Sequence, residues 1–284
     1  MSLPKGYEVV FALDDKIYAW SRKFGVQSAQ VPCNNSSNGH ITSFAIQGVS
    51  VYHAGYDQVV RETKTGQRIS RRQRGEVFGL TNHENHLIAL EYDLEEEIEH
   101  AVIRLYDVRS DETIAEIRAN DLDFRPGSLE LASLQDSLFL ASRNVVKLQV
   151  TFGRPQQTRL TEELADVVHL ATNDKKVYVV HMVRGSGNRI AWLEPNYFDI
   201  INHGWAGEDE HGKSTPGYIT HVAIKNDTLV IGVSNGVDFR IYTRELHPDG
   251  RFDLEMEMPH KSVVNESGNP MIVVPPKILQ QMLS

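Results

Sequence analysis

The clearest pattern in the chain is the alternation of apolar and polar residues over residues 102–117, VIRLYDVRSDETIAEI. The alternation breaks at a polar turn, residues 109–112, and resumes through Ile114 and Ile117. A period of two on both sides of a short turn is typical of a β-hairpin. Similar patterns recur along the chain with different residues, so the sequence predicts a protein built from repeated β units.

The turns divide the chain into six units, and each except the first has room for four short strands, as a propeller blade does. In each unit one apolar residue opens a strand directly after a polar turn: Ile17, Val49, Leu87, Leu138, Val177 and Leu229. The predicted blades cover residues 8–31 with 271–274, 39–72, 75–118, 127–160, 166–202 and 217–258.

The first unit has one strand too few, and the apolar run at residues 271–274 is the remaining β-prone segment. Pairing of this run with the first unit closes the ring and leaves no sheet edge open between the chain ends. The sequence therefore predicts one all-β domain over residues 1–284. The expected fold is a β-propeller of four-stranded antiparallel blades, six in number, closed by the N- and C-terminal strands.

The third unit resembles a WD-repeat blade. Gly75 opens its first strand, and Ile103–Val108 ends in an aromatic-Asp pair with Tyr106 in the place of the Trp. The second unit adds the dipeptide Gly39-His40, although the sequence contains no Trp-Asp pair. Seven blades are commoner in the WD-repeat family, so seven is the alternative to six. The resemblance implies a rigid disc whose loops contact other proteins, and it does not imply catalysis.

Composition narrows the class of partner. The chain has 284 residues, 40% hydrophobic and 24% charged, and a formal net charge of -9. This balance fits a globular protein and disfavours general nucleic-acid binding. The single cysteine, Cys33, has no internal disulfide partner, and no apolar run is long enough to span a membrane. With no recognisable signal peptide, a cytoplasmic protein without membrane insertion is expected.

Polar residues on predicted innermost strands are candidates for a central ligand site. His169 and His221 occupy such strands in the fifth and sixth units, and Glu76, Glu130 and Asp166 are carboxylates near the same edge. Carboxylates that converge on a channel mouth can hold a hard cation. A metal-dependent, lactonase-like hydrolase or a small-ligand-binding propeller is therefore the alternative function. More often, such side chains bond only to neighbouring backbone groups.

Other signals of chemistry are weak. His83 and His86 flank Glu84 in a predicted turn, without the helical HExxH spacing of a zinc protease, and are interpreted as exposed turn residues. No Gly-x-Ser-x-Gly nucleophile motif occurs. The sequence predicts no catalytic residue, no cofactor and no metal site, and an enzyme is the less favoured reading.

Two charge clusters remain, and both are interpreted first as solvated faces. A possible interaction surface is formed by Arg68, Arg71, Arg72 and Arg74 and by Glu95, Glu96, Glu97 and Glu99. Together with the WD-like hairpins, this favours a non-enzymatic protein–protein interaction scaffold, with other proteins as partners of unknown identity.

Overall fold

The structure of the chain is a computed structural model. It describes residues 8–13, 16–29, 41–47, 50–55, 58–61, 67–68, 76–92, 102–118, 129–142, 145–149, 156–159, 167–173, 175–183, 187–193, 200–205, 218–234, 237–245, 252–259 and 271–274.

The described residues form six four-stranded sheets, here called blades 1 to 6. Blade 1 contains β1 (Glu8–Leu13), β2 (Lys16–Ser21) and β3 (Gly25–Ala29). Blade 2 contains β4 (Ile41–Gln47), β5 (Ser50–Gly55), β6 (Gln58–Arg61) and β7 (Gln67–Arg68). Blade 3 contains β8 (Glu76–His83), β9 (His86–Tyr92), β10 (Val102–Asp107) and β11 (Thr113–Arg118). Blade 4 contains β12 (Glu130–Leu134), β13 (Ser137–Ala141), β14 (Val145–Gln149) and β15 (Gln156–Arg159). Blade 5 contains β16 (Val167–Thr172), β17 (Val177–Val183), β18 (Gly187–Leu193) and β19 (Ile200–Trp205). Blade 6 contains β20 (Tyr218–Lys225), β21 (Thr228–Ser234), β22 (Asp238–Glu245) and β23 (Asp253–Pro259). The last strand, β24 (Met271–Val274), is the fourth strand of blade 1.

The blades are arranged as a closed ring. In blades 2 to 6 the strands lie in chain order, and every neighbouring pair is antiparallel. The first strands β4, β8, β12, β16 and β20, together with β24, contact one another around the ring and line a central cavity. The prediction of an all-β propeller with six four-stranded antiparallel blades, closed by the chain ends, is confirmed.

The strands of blade 1 have different positions from the strands of the other blades, because its innermost strand comes from the C-terminal end of the sequence. β24 pairs antiparallel with β1, with Glu8 opposite Val274 and Phe11 opposite Met271. Because β24 takes the innermost position, β1 is the second strand of its blade and β2 is the third. Ile17 therefore lies on a third strand, whereas the other described anchor residues lie on second strands.

The predicted anchor residues are core residues. Ile17, Leu87, Leu138, Val177 and Leu229 are all 0% exposed. Val49, the remaining anchor, lies outside the described residues. Apolar residues that open a strand after a turn are thus reliable markers of the buried face in this repeat.

The hydrophobic core lies between the blades. Six clusters of buried side chains are present in the described part of the chain, and each joins two neighbouring blades. Between blades 6 and 1, the rings of Phe11 and Phe239 stack with centroids 5.0 Å apart, and Tyr18 stacks on the other side of Phe11 at 5.6 Å. Because the clusters continue around the ring, the loss of one blade contact exposes apolar surface on two sheets.

Four innermost strands share an irregularity near their start. The register shifts between Ile41 and Ser43, between Val77 and Gly79, between Val167 and His169, and between Ile219 and His221. Such β-bulges increase the local twist and redirect the side chains that follow. Ser43, Gly79, His169 and His221 therefore occupy equivalent positions, each directly after a bulge.

Gly79 allows blades 3 and 4 to approach closely at this level. A Cβ atom on Gly79 would lie 2.8 Å from the Cβ of Leu131, which is too short for any real contact. The Leu131 Cβ is fixed to its backbone, so one inner strand has to move. We expect Gly79→Ala to lower the free energy of unfolding by about 1–3 kcal/mol. Urea denaturation measures this effect, and an unchanged midpoint would show that the blades are not in close contact here.

The described ranges contain no helix that is long and apolar enough to cross a membrane.

Candidate functional site

A central cavity lies on the axis of the ring. It has a volume of about 370 Å³ and is lined by residues of all six innermost strands. This volume lies within the range of pockets that hold small molecules. At one end it continues into a second cavity, because Asn82, Ser133, Thr172, Ile224 and Lys225 line both.

The second cavity opens on the side of the disc where the first two strands of each blade are joined. Glu84, Gln135, Asn173 and Asn226 lie in these turns and surround the opening. Glu84, Gln135 and Asn226 have positive φ angles of 53°, 55° and 54°, as tight hairpin turns require. We call the side formed by the described turn residues 22–24, 84–85, 109–112, 135–136, 173, 175–176 and 226–227 the hairpin face.

Hydrogen bonds between blades hold the inner strands in place. The Thr42 hydroxyl donates to the Val77 carbonyl at 2.5 Å, and the Leu80 amide donates to the Ser43 hydroxyl at 2.9 Å. On the opposite part of the ring, the Asn173 amide group donates to the Asn226 carbonyl at 2.8 Å. The wall of the cavity is therefore supported by side chain to backbone bonds as well as by apolar packing.

Ser133 connects the inner strands of three blades. Nδ1 of His83 lies 3.0 Å from the Ser133 hydroxyl, and the Thr172 hydroxyl donates to the Ser133 carbonyl at 3.1 Å. Burial lowers the pKa of His83, and the nearby carboxylates of Glu84 and Asp136 offset this only in part. His83 is therefore a neutral hydrogen-bonding group at neutral pH, buried at the end of β8 and not an exposed turn residue as the sequence had suggested.

His169 lies in the wall of the central cavity beside Glu130. The residue is 4% exposed, and its Nδ1 lies 3.7 Å from Oε1 of Glu130. Its Nε2 is buried and has no hydrogen-bond partner among the described residues. Two of the residues that the sequence suggested as channel ligands are thus brought together by the ring.

His221 is placed differently, although it occupies the equivalent position in blade 6. Its Nε2 donates to the Ala12 carbonyl at 2.6 Å, and its Nδ1 lies 2.8 Å from the Thr220 hydroxyl. The ring packs edge-on against Phe11 and Phe239 and is fully buried. It joins blade 6 to blade 1 and is not among the residues that line the central cavity.

The remaining residues suggested from the sequence are not gathered into a site by the described structure. Glu76 begins β8 opposite Tyr92, and Arg68 ends β7 opposite Val60. The others lie outside the described residues: Asp166, Arg71, Arg72, Arg74, Glu95, Glu96, Glu97 and Glu99. Within the described ranges, no group of three or more His, Cys, Asp or Glu residues has the arrangement of a metal site.

The sequence reasoning missed Asn82, Ser133 and Thr172. Each lies near the end of an innermost strand, just before the hairpin turn, and all three line both cavities. A signal was available, because the segments Leu80-Thr81-Asn82, Leu131-Ala132-Ser133 and Leu170-Ala171-Thr172 share an apolar, small, polar order. That recurrence places a polar side chain at the same level of three adjacent blades.

Strand β10 ends in Tyr106-Asp107, and the Asp107 side chain holds the turn that follows. Oδ1 of Asp107 accepts hydrogen bonds from the amides of Arg109 at 2.7 Å and Ser110 at 3.1 Å, and Oδ2 contacts Nδ1 of His86. Burial raises the pKa of Asp107, but the hydrogen bonds from Ser110, His86 and Arg109 together outweigh burial and lower it. The turn therefore favours the ionised carboxylate.

A substitution at Asp107 tests this turn. We expect Asp107→Asn to lower the free energy of unfolding by about 1 kcal/mol at neutral pH, since charge-assisted bonds become neutral ones. A lowered pKa stabilises the fold above the ordinary Asp pKa of about 4, and this contribution is lost as the pH falls through the folded value. The difference between wild type and variant should therefore shrink in acid. A difference in urea midpoint that stays constant down to acid pH would contradict the account.

Comparisons with known proteins identify the fold and no family. No family model and no curated protein matches the chain. TolB from Acinetobacter baumannii is similar with a TM-score of 0.61 and 11% identity, over 95% of this chain and 67% of that one. A hypothetical selenium-binding protein from Sulfolobus tokodaii has a TM-score of 0.60 and 13% identity, over 92% and 76%. An acylaminoacyl peptidase from Pyrococcus horikoshii has a TM-score of 0.51 and 8% identity, over 89% of this chain and 45% of its own. These proteins differ in function, so the likeness establishes a β-propeller and nothing about what the propeller binds.

Proposed function

We propose that the chain is a non-enzymatic, WD-repeat-like scaffold that binds another protein through its hairpin face inside the cell. The observation that carries the proposal is the set of hydrogen bonds that join neighbouring blades at this face. Gln47 donates to the Asn85 carbonyl at 2.8 Å, and Arg109 donates to Gln47 at 2.6 Å and to the Tyr52 hydroxyl at 3.2 Å. These bonds join strands β4 and β5 of blade 2 to the turns of blade 3.

A preordered surface loses little conformational entropy when it binds, which favours recognition of a partner by a fixed pattern of groups. The hydrogen bond from Asn173 to the Asn226 carbonyl joins blades 5 and 6 in a similar way. The turn held by Asp107 adds support for a WD-like assembly, because it follows the aromatic-Asp pair on which the resemblance rests.

The charge of the face indicates the partner. Its exposed acidic residues within the described ranges are Glu84, Asp111, Glu112, Asp136 and Asp227, and its exposed basic residues there are Arg22, Lys23, Arg109 and Lys175. Arg22 is paired with Glu255, so acid remains in excess. The excess of acid agrees with the net charge of -9 of the whole chain. Complementary potentials accelerate association and select partners. The partner surface is therefore basic.

Charge reversal tests the proposal. In quantitative affinity purification of the tagged full chain, a basic protein should be recovered in stoichiometric amount. It should be lost or strongly reduced with the double variant Glu84→Lys/Asp136→Lys. The matched control is Glu116→Lys/Glu257→Lys, which changes the formal charge equally on the outer strands β11 and β23 and should retain the partner.

Equal loss of the partner with both double variants would show that the overall charge of the chain, and not the hairpin face, is responsible for binding. Absence of any stoichiometric partner, together with turnover of a small substrate by the purified chain, would overturn the scaffold itself.

A further inference from the structure

We infer that the central cavity binds a small neutral polyhydroxyl compound, a polyol or a simple sugar, through the imidazole of His169 and the carboxamide of Asn82. This site is inferred from its own residues and not from the protein partner proposed for the hairpin face. The inference rests on two buried polar atoms that have no hydrogen-bond partner among the described residues, Nε2 of His169 and Oδ1 of Asn82. Both residues line the same cavity of about 370 Å³.

Unpaired buried polar atoms are unusual, and each needs an explanation. They are not a general property of these inner strands, since His221, His83, Thr42, Ser43 and Thr172 all have partners. A buried acceptor without a partner costs as much as a lost hydrogen bond. The cost is removed when a molecule in the cavity supplies the missing donor.

The surroundings of His169 decide which kind of group it receives. Nδ1 lies on the side of the Glu130 carboxylate, at 3.7 Å, and a carboxylate favours the tautomer that carries its proton on that nitrogen. In that tautomer Nε2 is a hydrogen-bond acceptor, and it has no partner among the described residues. The complementary group is a donor such as a hydroxyl.

The two atoms lie at different depths. Asn82 and Thr172 line both cavities near the hairpin face, whereas His169 lies three residues before Thr172 on β16. Three residues of strand correspond to about 10 Å along the axis. A single ligand that reaches both atoms therefore has hydroxyl groups at both ends of a short chain or ring.

The wall between these levels exposes both polar and apolar groups, and the polar surface is the larger part. Leu80, Leu131, Leu170, Ala132 and Ala171 supply the apolar part. Carbon-bound hydrogens of a polyol or sugar match these apolar residues, while its hydroxyl groups match the polar surface. Glu130 and Lys225 both line the cavity, so their formal charges cancel and a neutral ligand is favoured.

Nitrogen NMR of the full chain provides the test. D-sorbitol and D-glucose are titrated into uniformly labelled protein while the imidazole nitrogens are observed, and His169→Gln assigns the His169 signals. Either probe should shift the Nε2 signal of His169 in a saturable way, and inorganic phosphate should not. His86→Gln is the control, because His86 lies outside the cavity and is partly exposed.

Titration calorimetry with D-sorbitol or D-glucose, whichever binds more tightly, should show that His169→Leu weakens binding about tenfold. This is the equivalent of one hydrogen bond. Asn82→Leu should have a similar effect, and it keeps the test decisive if the first variant does not fold. Absence of any saturable shift in the wild type would overturn the proposal and assign the unpaired atoms to ordered water. Binding that is equally strong in His169→Leu and Asn82→Leu, with both folded, would overturn it as well.

Discussion

Replacing Val274 by Asp should destabilise the protein by about 4 kcal/mol or more, a large part of the stability of an ordinary domain. Val274 is 0% exposed and packs in the cluster between blades 1 and 2. It also pairs with Glu8, so it lies at the point where the two ends of the chain join. A carboxylate there is buried without a partner, and the strand that closes the ring is released. Circular dichroism during thermal unfolding measures the loss.

Val237→Asp is the matched control, since the same change is made in blade 6 at a residue that is 60% exposed. It should shift the melting temperature little, because substitutions on exposed surface usually change stability by about 0.5 kcal/mol or less. If Val274→Asp melts like the control, β24 does not close the ring.

Replacing His221 by Leu should destabilise the protein by about 2–3 kcal/mol. The Ala12 carbonyl would lose its donor and remain buried between blades 6 and 1. The Thr220 hydroxyl would lose its contact with Nδ1 and keep only a long bond of 3.4 Å to the Gly232 carbonyl. Leu is similar in size to His and is apolar, so the loss reports mainly on hydrogen bonding. Urea denaturation gives the free energy of unfolding.

The conservative variant His221→Gln separates this explanation from a packing defect. Its amide group retains a donor for the Ala12 carbonyl and should recover part of the stability that Leu loses. A Leu variant as stable as the wild type, or a Gln variant less stable than Leu, would contradict the role given to His221.

The architecture could be predicted from the sequence because its signal is repeated. Alternating segments separated by turns, with an apolar residue such as Leu87 or Leu138 after the turn, indicate the same hairpin each time. The need to close the ring then assigned residues 271–274 to blade 1. What the pattern did not indicate was the position of β24 at the inner edge, because alternation is the same for an inner and an outer strand.

The site was only partly predictable. His169 and His221 occupy equivalent positions after a bulge, yet one lines the cavity beside Glu130 and the other joins two blades. Their roles differ because of what the neighbouring blade presents, a carboxylate in one case and the Ala12 carbonyl in the other. Contacts of this kind join residues far apart in the chain, and a strand pattern carries no information about them.

The role of Asn82 also depends on contacts that the sequence pattern does not indicate. The order of residues that Asn82 shares with the segments ending in Ser133 and Thr172 indicates the same level in each blade, but only the ring brings the three side chains to one cavity. The hairpin face likewise depends on bonds between blades, such as Gln47 to Asn85, that local sequence does not indicate.

An engineered disulfide between β1 and β24 tests the closed ring most directly. Val10 and Ile272 lie opposite each other in this pair, and directly opposed residues are at distances that a disulfide can span. Cys33, the single natural cysteine, is replaced by Ser, and the pair Val10→Cys/Ile272→Cys is compared with Val10→Cys/Val237→Cys. Mild oxidation of the folded protein should cross-link the first pair within one molecule, seen as faster migration without reductant, and leave the second reduced. Failure of the first pair to cross-link within the molecule, or equal cross-linking of both, would contradict the six-bladed ring closed by its terminal strands.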